Sequence, residues 1–217
     1  MRGVVATLRL GAGQPGVLAW ATGTVAATWA AAVGGEGGRG LFLLTYYLLC
    51  LALFAGVLGG EPARAMRRWL APDRWGAGRL VGVAWGLRAV LAVAGLALAL
   101  AVLGLAGWAV GGTPRTWLRT VAILLAGAGW ATLLSAFTRG AFNVVGVLLL
   151  HGATLWAFGR EAAAASPLGD RLAAALLFPP LAVHLQPPSW QVAVPLAVAA
   201  GGPLLAWWWL RVAEVPP

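Results

Sequence analysis

Apolar residues in this chain do not alternate with polar ones; they run on in long blocks, covering about 17–33, 41–58, 80–110, 121–138, 141–158 and 192–210. A helix needs roughly 20 such residues to cross about 30 Å of hydrocarbon. Each block therefore reads as a membrane span, and the chain as an all-α polytopic membrane protein whose six spans form one domain over 1–217. The first two spans are separated only by the glycine-rich stretch 34–40, which predicts an antiparallel hairpin. The third block is longer than one crossing needs and carries Arg88 about two turns from its start. That helix is expected to begin in the headgroup region, with Arg88 snorkelling back toward it. Gly107 and Gly111 stand at GxxxG spacing, which allows close helix contact.

Two segments do not fit simple crossing. Between spans two and three, Arg64, Arg67 and Arg68 recur at i, i+3 and i+4, while Met66, Trp69 and Leu70 recur on the opposite face. This predicts a short amphipathic helix over about 62–71 lying along the membrane surface. Pro62 suits its first turn, and Pro72 with Asp73 ends it. Such a helix is either an anchor on anionic lipid or a docking surface for a partner. The second segment, about 171–186, is apolar but interrupted by Pro179 and Pro180. Paired prolines prevent a continuous helix, so the expected shape is helix, break, helix, dipping into one leaflet and returning. A loop lying on the surface is the alternative.

Composition sharpens the class: 61% of residues are hydrophobic and only 10% charged, against about 25% charged in a soluble domain. This excludes a soluble enzyme, a disordered tail and a secreted disulfide scaffold, and the lone Cys50 offers no intramolecular disulfide. The net charge of +9 comes from fifteen basic residues, all arginine, placed mostly between apolar blocks. That placement points to topology and lipid headgroups rather than to nucleic acid. With the N-terminus inside, ten arginines fall on the cytoplasmic side and five (Arg39, Arg115, Arg119, Arg160 and Arg171) outside. Positive residues favour the cytoplasmic side, so both termini are expected there, in the plasma membrane of a prokaryote. Trp108, Trp117 and Trp190 would then mark the outer interface, and Trp20, Trp85 and 207–209 the inner one.

The loop before span three carries Glu61, Leu70, Pro72, Arg74 and Arg79 in order. In this pattern, and in its six-span layout, the chain resembles the membrane subunit (permease) of type-2 ATP-binding-cassette (ABC) exporters. In that family an acidic residue follows span two, then come a leucine-rich coupling helix, a proline and basic residues. The glycine and threonine that usually follow the acidic residue are replaced here by Pro62, Ala63 and Arg64. The resemblance implies that Glu61, Arg64, Met66, Arg67, Arg68, Trp69, Leu70, Pro72 and Arg74 dock onto an ABC ATPase subunit. It also implies pairing of two permease copies, as a homodimer or with a related permease, and a broken re-entrant element before span six. ATP and Mg would be bound by the partner ATPase, with no cofactor in this chain. Consistent with that, the sequence has no lysine and hence no G-x-x-x-x-G-K-[ST] phosphate cradle.

Polar residues inside spans are costly and usually face protein or a cavity. Asn143, Thr154 and, about 80° around, His151 share one region of span five; Thr45 and Tyr46 lie in span two. The family's path is commonly lined by these two spans, which makes the five residues candidates for it. His151 equally suits a neutral imidazole bonded to a neighbouring helix, and Ser135 and Thr138 suit hydroxyls bonded to their own helix carbonyls. The chain has no convergent acid, base or metal-ligand motif for an enzyme. The remaining alternatives are a haem-binding subunit ligated by His151 and His184, or a structural or regulatory membrane subunit.

Overall fold

The computed structural model describes residues 21–26, 28–29, 77–107, 112–137, 145–146, 149–150, 152–154, 156 and 166–213. Among them all regular structure is helical. Four α-helices, α1 (Ala77–Leu105), α2 (Pro114–Phe137), α3 (Leu168–Leu177) and α4 (Trp190–Ala213), are joined by a 3₁₀ segment, Pro179–His184, between α3 and α4. Three stretches are long and apolar enough to cross a membrane: Val81–Leu105, Pro114–Ala136 and Trp190–Val212. Large apolar side chains such as Val90, Leu118, Leu204 and Trp208 remain exposed on them, as expected of helices whose outer face meets lipid. The described residues of the first and fifth predicted spans are also helical. The second span and the amphipathic segment 62–71 lie outside the described residues.

Helix boundaries depart from the apolar blocks where backbone chemistry overrides hydropathy. The third block runs to 110, but α1 stops at Leu105 because Gly107 takes a left-handed φ of 72°, a conformation that terminates helices and favours glycine. Gly107 is therefore a helix stop, and among the described residues nothing lies within 4 Å of where its Cβ would be. In the other direction, α2 begins two turns before the apolar block. Thr113 accepts the Thr116 backbone N–H through Oγ1 at 3.3 Å and Pro114 occupies the first helical position, a regular start. Arg115, Trp117 and Arg119 consequently belong to the opening turns of α2 and not to a loop.

Packing directions follow from residue pairs. The α1 residue Arg88 reaches Thr132 and Ser135 near the end of α2, and Gly78 at the start of α1 lies beside Trp207 near the end of α4. Hence α1 is antiparallel to both. By contrast, Arg119 meets Gln191, and Gly129 meets Val198 and Ala199, so α2 and α4 run parallel with a constant register.

The α2–α4 seam is built from small residues. Ala122, Ala126 and Gly129 fall at i, i+4 and i+7 on α2, opposite Pro195, Ala199, Gly202 and Ala206 on α4. A Cβ on Gly129 would lie 2.5 Å from the Val198 carbonyl oxygen, and one on Gly202 would fall on the Gly129 carbonyl. The hydrogens that occupy those places point at carbonyl oxygens across the seam, the geometry of weak Cα–H···O contacts. Backbone touches backbone here, and no side chain fits between.

Gly129→Val or Gly202→Val is expected to push α2 and α4 apart, at a cost of about 1–3 kcal/mol for the overpacking. Gly86→Ala, in the interior of α1 where a Cβ meets nothing within 4 Å among the described residues, should not destabilise and should gain up to about 1 kcal/mol from helix propensity. Thermal unfolding in detergent distinguishes them, and equal effects would refute the tight seam.

Candidate functional site

The segment between α3 and α4 is shaped by which backbone donors its prolines delete. In a helix the carbonyl of residue i accepts from the N–H of i+4. Ala174 is served in this way by Phe178 at 2.8 Å. The next two carbonyls, of Ala175 and Leu176, would need the N–H groups of residues 179 and 180, and both are prolines. The helix therefore breaks at Phe178 (φ −136°, ψ 87°), and the chain continues as a 3₁₀ turn in which Leu181 N–H bonds the Phe178 carbonyl and Leu185 N–H the Ala182 carbonyl. The Leu176 carbonyl receives its donor from another helix: the Trp130 indole N–H of α2, at 2.8 Å.

Apolar burial holds the break in place. Phe178 is fully buried in one cluster with Ala92, Leu96, Ala99 and Leu103 of α1 and Ile123, Leu124 and Ala131 of α2. Ala175, Ala182 and Leu185 pack with Val194 of α4. At the exit of the 3₁₀ turn the Gln191 amide donates to the Val183 and Leu185 carbonyls, at 3.1 and 2.9 Å, while its oxygen accepts from Arg119 at 3.4 Å. The two ends of the element are thus fastened to α2 at Trp130 and, through Gln191, at Arg119. Those residues are eleven apart on α2, about 16 Å of helix at 1.5 Å per residue. The predicted helix, break, helix over 171–186 is realised as α-helix, break and 3₁₀ turn over 168–184, reaching about half the length of the helices it packs on.

A second polar constellation joins α1 to α2. Arg88 is 6% exposed. It donates to Thr132 Oγ1 at 3.1 Å and to Ser135 Oγ at 3.2 Å. Those hydroxyls in turn donate to the Ala128 and Thr132 carbonyls of their own helix, at 2.8 and 2.9 Å. The back-bonding of Ser135 is as its sequence context suggests, but Arg88 does not snorkel to the headgroups. Enclosure between helices wins because each hydroxyl spends its proton on a carbonyl and turns its lone pairs to the guanidinium.

Of the proposed path residues, Thr154 is described: it is buried and its hydroxyl donates to the Leu150 carbonyl at 2.7 Å. Thr45, Tyr46, Asn143 and His151 lie outside the described residues. So do all the coupling candidates, Glu61, Arg64, Met66, Arg67, Arg68, Trp69, Leu70, Pro72 and Arg74. What sequence reading missed is the pairing of polar groups: Trp130 with Leu176, Gln191 with the 3₁₀ carbonyls, and Arg88 with a Thr and Ser three apart. The usable signal was register, since an antiparallel neighbour places 132 and 135 opposite 88.

His184 closes the 3₁₀ turn. Partial desolvation, then the nearby Arg119 and Arg171 guanidinium groups, hold its imidazole below the usual histidine range.

Comparison with models of protein families, with curated proteins and with solved structures finds no match to this chain.

Trp130→Phe keeps the ring but leaves the Leu176 carbonyl without its donor, and should cost about 1–3 kcal/mol. The check is thermal stability, with no loss refuting the staple. Thr132→Val withdraws an acceptor from a buried guanidinium and is expected to cost at least as much. For His184 the folded midpoint lies below the ordinary value of about 6.5, so its neutral form contributes stability fully above that value, and the contribution falls as pH drops toward the folded midpoint. An NMR titration should show the depressed midpoint rising in Arg171→Gln; an unshifted one contradicts the placement.

Proposed function

We propose that this chain is the permease subunit of a type-2 ABC exporter, moving a substrate across the cytoplasmic membrane with ATP hydrolysed by a separate subunit. The observation that carries this reading is the broken element, α3 plus the 3₁₀ turn, seated on the parallel pair α2 and α4 just before the last apolar helix. For two parallel crossing helices the intervening chain must cross once more, and an element that dips and returns adds no net crossing. The helical residues among 145–156 supply a candidate for that return. Three membrane-length helices and the motif Glu61, Leu70, Pro72, Arg74 and Arg79 support the same reading.

In this scheme two copies pair and each inserts the segment 62–71 into one ATPase. Arg64, Arg67, Arg68 and Arg74 offer charge to the ATPase surface while Met66, Trp69 and Leu70 pack. Closure of the ATPase pair tilts the spans and alternates access to a path between the copies. The α2–α4 seam favours movement of those helices as one body, because backbone contact leaves no side chain to repack.

Arg67→Glu tests the docking role. A reversed charge against a complementary surface costs several kcal/mol, so transport and co-purification of the ATPase should fall at least about tenfold, with membrane insertion preserved. Normal transport by this variant, or chemical labelling that places 61–74 on the outer side, refutes the proposal.

A further inference from the structure

The start of α1 meets the end of α4. Of the three consecutive tryptophans there, Trp208 and Trp209 are exposed, at 58% and 38%, whereas Trp207 is half-buried. Its indole lies against Gly78 in the first turn of α1: a Cβ on that glycine would stand 3.2 Å from Trp207 Nε1 and 3.3 Å from Cδ1, inside the roughly 3.5–4.0 Å of ordinary contact. The absent side chain of Gly78 is thus the seat of the ring. One turn further along α4, the Arg211 guanidinium stands over the same ring, 5.1 Å from its centroid, a cation–π contact that holds the indole by its face. Gly82 and Gly86, the next glycines along α1, have nothing within 4 Å of a Cβ among the described residues.

Both helices are fixed to α2 farther in. Directional hydrogen bonds to Thr132 and Ser135 bind α1 at Arg88, ten residues beyond Gly78, or about 15 Å of helix. Backbone contact with Gly129 holds α4 at Gly202, five residues before Trp207, or about 7.5 Å. An α1 held at Arg88 tilts about that level, so its displacement is smallest at the hydrogen bonds and largest at its first turn. The indole seated on Gly78 meets α1 where it moves most.

We propose that Gly78, Trp207 and Arg211 form the joint that passes displacement of the segment before α1 to α4, and through the Gly129–Gly202 seam to α2. This rests on the permease reading, in which that segment docks on the ATPase: Arg74, the last docking candidate, stands three residues before α1 begins. Trp207 is then a positioning residue. An indole suits the task because it is broad and rigid and has only two side-chain torsions. With Arg211 on its face, a push on its edge moves the helix instead of turning the side chain.

The contact is tested on the full chain in phosphatidylcholine discs. In a double-mutant cycle of Gly78→Val and Trp207→Ala, the combined fall in melting temperature should be smaller than the sum of the single falls, because the valine enters the space the indole vacates. Strict additivity overturns the joint. Transmission is read on the complex with the co-purified ATPase, as hydrogen exchange with and without ATP and Mg. In the unaltered complex ATP should change exchange both at the start of α1 and over residues 204–213. Trp207→Ala should keep the first change and lose the second, and Trp207→Phe, which keeps a ring against Gly78, should restore it. A merely structural role would shift basal exchange without separating the two responses. Retention of the α4 response in Trp207→Ala, or its absence in the unaltered complex while α1 responds, overturns the joint and leaves the permease reading standing. Failure of any ATPase to co-purify with the unaltered chain overturns that reading, and the joint's part in transmission with it.

Discussion

Hydrocarbon provides no water to satisfy a carbonyl that has lost its donor, and Pro179 with Pro180 removes two donors in succession in the middle of an apolar segment. The surrounding structure is arranged around that deficit. Trp130 turns its indole N–H to the Leu176 carbonyl, and Gln191 covers two more carbonyls at the exit. Phe178, at the break itself, is driven into the α1–α2 core. The apolar burial supplies most of the favourable energy and is tolerant of detail. The donors are few, directional and individually costly to lose, so they fix where the element sits.

The same constraint governs how the long helices meet. Between α2 and α4 it is met by exclusion: small residues let the backbones touch, and no polar side chain has to be accommodated. Between α1 and α2 it is met by satisfaction, with Arg88 bound by hydroxyls that are themselves bonded. A seam of backbone contact resists sliding, since any shift drives a Cα into a carbonyl. A seam made of an arginine and two hydroxyls has discrete hydrogen-bond partners and hence a discrete register. Together they make α1, α2 and α4 a frame, with the broken element fastened at both of its ends.

Under the proposed permease role this division would be useful. Force from a coupling helix would have to cross the spans without dissipating in side-chain rearrangement, and a frame of this kind would transmit displacement to the broken element, which is fastened to it at the level of Trp130 and again at Arg119.

Hydropathy alone determined that the chain is helical and membrane-embedded, because the composition leaves no soluble way to hide so many apolar residues. The two prolines likewise determined that the segment before the last helix must break, since they lack the hydrogens a helix requires. Hydropathy misjudged helix ends, because Thr113 and Pro114 start α2 among arginines and Gly107 stops α1 inside an apolar block. Only tertiary structure decided the partners. That Gly129 and Gly202 lie in a tight seam while Gly107 ends a helix depends on interhelical register and backbone conformation, and the capture of Arg88 by Thr132 and Ser135 depends on register too. Local sequence fixes what a residue needs, whereas the element that supplies it comes from a distant part of the chain.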